Sequence, residues 1–273
     1  MSENKNYLSS TYDYLIPLKT DLIRIGKDKD GGYVMGNNEL KKIELIISLG
    51  MGSEYENWSF EQEYLKKKQL KVIFYDHTVS VKNYLLSIFR IFRRLIKLRY
   101  KFKDLIEIFK NYFSYLTLLK NKRIYHYRKK ICEYPKNSQE TNIEEIFSKV
   151  KTKQVLLKVD IEGSEYEIID QITSFSDKIV SLIIEFHEID KFENIFQKKI
   201  AQLKSKFEII HIHGNNNTGI LESNLPKTLE LTFVNKETFR GIKNEHVYDF
   251  PIDGLDFPNN PNFKDIYFSF KNN

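Results

Sequence analysis

The sequence predicts an α/β fold: a mostly parallel sheet with helices on both faces, a closing antiparallel strand pair and a basic helical insertion. Two observations carry this. Short apolar, β-branched runs alternate with segments of helical period along most of the 273 residues, which is how strands joined by helical crossovers read. Between Ser53 and Tyr134, by contrast, there is neither Gly nor Pro, and apolar residues recur at spacings of three and four, the pattern of long amphipathic helices.

The elements follow in order. IELIISLG, 43–50, is a buried strand ending in glycine, and MGSEYENWSFEQEYLKKK turns into a helix. KVIFYD, 71–76, is the second strand and ends in an acid. The insertion, 80–122, separates it from RIYHYRKKI, 123–131, expected as the third strand. TNIEEIFSKV reads as a helix capped by Thr141. VLLKVD, 155–160, and VSLIIEFH, 180–187, are strands, followed by the helical EGSEYEIIDQI and FENIFQKKIAQLKSKF. FEIIHIHG and LELTFVN form the closing antiparallel pair.

Composition narrows the class. The lone cysteine, Cys132, excludes a disulfide framework and a cysteine-rich zinc site. MSENKNYLSSTYDYL lacks the basic-then-apolar order of a secretory leader, and no run of 18 apolar residues occurs, so a cytoplasmic location is expected. The net charge of +6 is uneven: Lys82 to Lys130 hold 15 Lys and Arg against two acids, a net of +13, so the rest carries −7. A solvated helical cap or dimer arm is the plain reading of that segment. A surface for anionic lipid or a polyanionic acceptor is the sharper one. No nucleic-acid reader motif accompanies the charge.

In an open α/β sheet, ligands bind beyond the carboxyl ends of the strands. Those ends are Gly50-Met51-Gly52-Ser53-Glu54, Asp76-His77-Thr78, Asp160-Ile161-Glu162-Gly163, Glu185-Phe186-His187 and His211-Ile212-His213-Gly214-Asn215-Asn216. Gly50 and Gly52 let the backbone approach a ligand. Asp76 is placed to accept two ribose hydroxyls, which points to an adenosine-type cofactor. A pyrophosphate fits poorly, because the third glycine is missing and Glu54 and Glu56 would repel it. S-adenosylmethionine, with a sulfonium and an α-amino group, suits these acids.

IISLGMGSEYENWSFE, VIFYDHT and LLKVDIEGSEYEIID resemble motifs of the FkbM-like family of S-adenosylmethionine-dependent methyltransferases, and RIGKDKDGGYVM resembles a stretch preceding the first strand in its members. The resemblance spans about residues 20 to 215. It implies a class I methyltransferase (Rossmann-like) fold as a single domain over 1–273, with Asp30, Gly31, Tyr33, Gly50, Gly52, Ser53, Glu54, Asp76, His77 and Asp160 at the cofactor. Many members methylate sugar hydroxyls. The expected activity is O-methylation of a sugar, nucleotide sugar or phosphorylated glycan precursor, as in capsule or other surface polysaccharide biosynthesis. N-methylation of an amine or phosphoramidate-type nitrogen stays open, as does an idle scaffold peripheral to the inner face of a membrane. A homo-oligomer is expected.

Methyl transfer needs alignment, and a hydroxyl acceptor also needs a base or a metal. Asp160, His187 and His213 are the candidate catalytic residues, with Glu162, His211, Asn215 and Asn216 for the acceptor. His211 is also weighed as a base, and Asp160 or Glu162 as a plain helix cap. Asp160, Glu185 and His187 are alternatively the ligands of a divalent cation, Mg²⁺ or Mn²⁺.

Overall fold

A computed structural model of the chain describes residues 6–52, 58–96, 102–239, 241 and 245–271. β1 (Leu22–Ile25) and β2 (Tyr33–Gly36) form an antiparallel hairpin, followed by the short α1 (Asn37–Leu40). Then come β3 (Leu45–Leu49), α2 (Ser59–Lys67) and β4 (Lys71–Tyr75). The basic segment forms two helices, α3 (Val81–Ile96) and α4 (Phe102–Lys120), which pack on each other. After them stand β5 (Ile124–Tyr127), β6 (Lys130–Ile131), β7 (Glu140–Thr141), α5 (Ile143–Phe147) and β8 (Val155–Val159). The remainder is α6 (Glu165–Ser174), β9 (Ile179–Phe186), α7 (Ile189–Leu203), β10 (Phe207–Gly214), β11 (Leu229–Asn235), β12 (Asp249–Phe250) and β13 (Phe268–Ser269).

Seven strands make the central sheet in the order β10-β11-β9-β8-β3-β4-β5. β11 runs antiparallel to both neighbours, and the pairings from β9 through β5 are parallel. This is the Rossmann-like, mostly parallel architecture that the sequence pattern predicts. Strand periodicity divides the core in two. Leu45, Ile47 and Leu49 pack with α5, α6 and α7, whereas Ile46 belongs with residues of α2, α3 and α4 on the other face. Both faces are therefore covered, and each fully buried Leu or Ile contributes about 1.5–3 kcal/mol.

Two local expectations are corrected. The run 123–131 is not one strand: β5 ends at Tyr127, the chain turns with Lys129 N–H donating to the Tyr127 carbonyl, and β6 pairs with β7 instead. Thr141 is not the cap of α5. It lies in β7, and Asn142 caps the helix by accepting from the Glu145 N–H at 2.8 Å.

Candidate functional site

Register brings the predicted ends together. Leu49 pairs with both Tyr75 and Val159, and Val159 pairs with Ile184, so Gly50, Asp76, Asp160 and Glu185 stand at one level. Gly50 is required there. Its φ is +86°, and a Cβ would sit 1.8 Å from the Asp160 carbonyl oxygen. Asp76 organises the neighbouring turns: Oδ2 accepts from Met51 N–H at 2.8 Å, and Oδ1 accepts from Thr78 N–H and Oγ1, each at 2.6 Å. The insertion reaches this point too. His126 donates from Nε2 to the Asp76 carbonyl and accepts from the Tyr115 hydroxyl of α4, both at 2.9 Å.

These ends border a cleft of about 510 Å³ that includes Asp30, Asp76, Asp160, Glu162, Glu185 and His187. Ligand atoms of Asp160, Glu185 and His187 all lie within 4.8 Å of one another. Each is oriented from behind. Glu165, fully buried at the start of α6, accepts from His187 N–H at 2.6 Å and from its Nδ1 at 3.2 Å, leaving Nε2 toward the acids. Asn215 donates to Glu185 Oε1 at 2.7 Å, and the Tyr33 hydroxyl donates to Asp160 Oδ2 at 3.3 Å.

The cluster holds more acid than it can ionise unaided. Burial, then Glu230 and Asp160, push the Asp30 carboxyl up to about 6. Burial, then Asp160 and Glu230, hold Glu185 well above the usual carboxylate range. Burial alone would lower the His187 pKa, but the Glu165 hydrogen bond and the charges of Glu185, Glu165 and Asp160 raise it to about 10. The surrounding acids thus favour a proton on Nε2, and a divalent cation bound there would take that proton's place. The cleft thus favours a cation.

Other predicted residues fall elsewhere. His77 and Asn215 border the cleft. Tyr33 lies behind Asp160 rather than in the cleft lining, and the Gly31 carbonyl is engaged by Ser59 and Phe60 of α2. Ser53 and Glu54 lie outside the described residues. Asn216, expected at the acceptor, instead ties down the 260–264 loop through Asn260, Phe263 and Lys264. His211, also expected at the acceptor, is buried against Asp256 at 2.9 Å. His213 is not a base in the cleft: it is buried between Glu230 at 3.3 Å and Asp265 at 3.2 Å.

His213 has a consequence for stability. Burial lowers its pKa, but Asp265 and Glu230, with Asp256 nearby, raise it from 6.5 to about 10. A folded pKa above the unfolded one stabilises fully below pH 6.5 and loses that contribution as pH rises toward 10. His213→Gln is therefore expected to cost about 3 kcal/mol at pH 6, the scale for breaking a buried ion pair. The gap from wild type should close by pH 10. Paired urea unfolding curves at both pH values measure this, and a gap that does not change with pH refutes the ionic account.

The sequence reading missed several lining residues. The broken third strand brings Lys129 and Lys130 to the cleft. Asn217 and Thr218 also line it. Glu165 reads in sequence as an ordinary acid in the first turn of a helix. Its partner His187 lies 22 positions on, and only the fold joins them.

Residues 111–221 match the methyltransferase FkbM domain. Among solved structures, the chain is similar to a fibrillarin/Nop5p complex, with 11% identity over 71% of this chain and 73% of that one, at a TM-score of 0.38. It is also similar to the fibrillarin pre-rRNA processing protein of Methanococcus jannaschii, with 9% identity over 75% and 78%, at 0.38. A third similarity is to precorrin-6y C5,15-methyltransferase from Geobacter metallireducens GS-15, with 10% identity over 72% and 86%, at 0.35. No curated protein matches the chain.

Proposed function

We propose that this chain, whose residues 111–221 match the methyltransferase FkbM domain, is an S-adenosylmethionine-dependent methyltransferase whose acceptor is a hydroxyl of a sugar or phosphorylated glycan precursor. We further propose that Asp160, Glu185 and His187 hold a divalent cation, Mg²⁺ or Mn²⁺, at that hydroxyl. The observation that carries the reading is the backing of all three ligands: Glu165 behind His187, Asn215 behind Glu185 and Tyr33 behind Asp160. A metal-binding histidine usually has its other nitrogen fixed in this way by a carboxylate. Lys129 and Lys130 at the cleft support a phosphorylated acceptor, and Asn217 and Thr218 support one rich in hydroxyls.

The cleft fits S-adenosylmethionine by its donor set. Asp30 and Asp160 would meet its cationic groups, and Asp76 at the end of β4 would accept the ribose hydroxyls. Excess carboxylate, with Asp30 raised to about 6, is relieved by such a charge. When bound, this cofactor supplies a methyl group on a sulfonium sulfur, ready for in-line displacement. The chain's task is to aim the acceptor oxygen and receive its proton. Glu162 is the proton acceptor in this reading. It borders the cleft 3.6 Å from His187 Nε2 and is held at φ 55°, a strained conformation of the kind kept at functional sites. A cation among the three ligands would lower the hydroxyl pKa and ease that transfer.

The test uses labelled S-adenosylmethionine with a panel of nucleotide sugars and sugar phosphates, before and after chelation. Transfer to a hydroxyl that chelation abolishes and Mn²⁺ restores is the expected result. Transfer that survives exhaustive chelation sinks the cation, and transfer to amines alone sinks the O-methylation reading. Glu165→Gln is expected to weaken Mn²⁺ binding about 10- to 100-fold, as loss of such orienting groups does. Paramagnetic titration of free Mn²⁺ measures it, and unchanged affinity counts against the orienting role.

A further inference from the structure

We infer that the outer face of α3, with the adjoining α4, is an interfacial anchor that seats this protein on a membrane of anionic lipids. The two helices are amphipathic in an unusual sense. The inner arc of α3 is committed to the fold: Tyr84, Ser87 and Ile91 are buried, and Tyr84 packs against Tyr112 and Tyr115 of α4. The opposite arc ought to be polar. Instead Leu85, Leu86, Phe89 and Phe92 stand 49–58% exposed, and Phe113 of α4 is 60% exposed. Large apolar side chains concentrated in this way on a surface mark an interaction site.

The charges say what kind. Lys82, Arg90 and Arg93 are exposed on α3 among those apolar groups, and no acid lies between Val81 and Ile96. Across Lys82 to Lys130 the sequence holds 15 basic residues and two acids. Two copies meeting through this face would bring like charges together, which opposes a dimer arm. A nucleic acid would satisfy the charge but has little use for exposed aliphatic side chains such as Leu85, Leu86 and Ile106. A bilayer of anionic lipid satisfies both: acyl chains take the Leu and Phe groups, and Lys and Arg reach the headgroups along their own methylene stems. No helix among the described residues is long and apolar enough to cross a membrane, so the seating is in the interface plane.

This inference is independent of the acceptor and of the cation. The experiment is cosedimentation of the full chain with phosphatidylcholine vesicles, with and without about 30% phosphatidylglycerol, at low and high salt. Wild type is expected to bind the anionic vesicles at least about tenfold more tightly, with the preference shrinking as salt rises. Phe89→Gln/Phe92→Gln should weaken binding about tenfold or more, since each ring loses its apolar burial. Both side chains are exposed, so thermal melting of the variant should match wild type, and a second variant, Lys82→Gln/Arg93→Gln, should lose the anionic preference while still folding. Equal partition onto neutral and anionic vesicles overturns the proposal. So does a wild-type dimer in light scattering that the Phe variant dissociates, or binding to a single-stranded RNA that matches vesicle binding and ignores the Phe substitutions.

Discussion

Asp76→Ala is expected to weaken binding of S-adenosylhomocysteine about 10²- to 10⁴-fold, measured calorimetrically on the folded variant. The range follows from two hydrogen bonds to a charged acceptor, each contributing about 1.5–3 kcal/mol. In the proposed reading the side chain meets the ligand already oriented: Met51 N–H fixes one oxygen, and Thr78 N–H and Oγ1 fix the other. Its removal would take away the proposed ribose acceptor and also free the turn after β3 and the chain leading into α3. Both effects act in the same direction. Binding within tenfold of wild type would show that the ribose is held elsewhere and would reassign Asp76 to the turn alone.

The second large effect concerns stability. Lys158 lies near the end of β8, fully buried, with its ammonium 3.5 Å from the equally buried Glu61 of α2. Burial lowers its pKa, but Glu61, Asp160 and Asp30 raise it above the ordinary value, so it stays charged. Ser48 donates to the same Glu61 oxygen at 2.6 Å. Lys158→Met leaves Glu61 as a buried charge without its cation and is expected to cost about 3–5 kcal/mol. Glu61→Leu alone should cost a similar amount. The double variant should recover most of the loss, because paired apolar replacement of a buried ion pair is often near neutral. Urea unfolding of the four proteins closes the cycle, and additive losses would refute the ion pair. The ammonium also lies 4.9 Å from the ring centre of Tyr33, whose hydroxyl holds Asp160, so the variant should lose activity beyond its loss of stability.

The sequence made one edge of the sheet legible. Parallel strands in register present their carboxyl ends together, so Gly50, Asp76, Asp160, Glu185 and His187 were readable as neighbours from four separate runs. What lay behind them was not. Lys158 occupies a strand position where an exposed lysine is the ordinary reading, and its burial depends on Glu61 from another element. His211 and His213 looked like site residues because they end a strand. Their partners Asp256 and Asp265 come from the carboxyl-terminal segment, and no local spacing announces that pairing. Lys129 and Lys130 were hidden by a different error. An alternating pattern does not reveal where a ladder stops, and the turn after Tyr127 is what aims them at the cleft.

The two helices of the insertion enter and leave the frame beside β5, which among the described residues is an edge strand of the sheet, paired with β4. Their inner arc, with Tyr84, Ser87 and Ile91, is fixed by the core, and the Tyr115 hydroxyl is fixed by His126. On the outer arc, Leu85, Leu86, Phe89 and Phe92 are exposed. On the proposed membrane seating, substitutions along it would change location one residue at a time without touching the residues at the strand ends. Place and reaction would then be separately heritable.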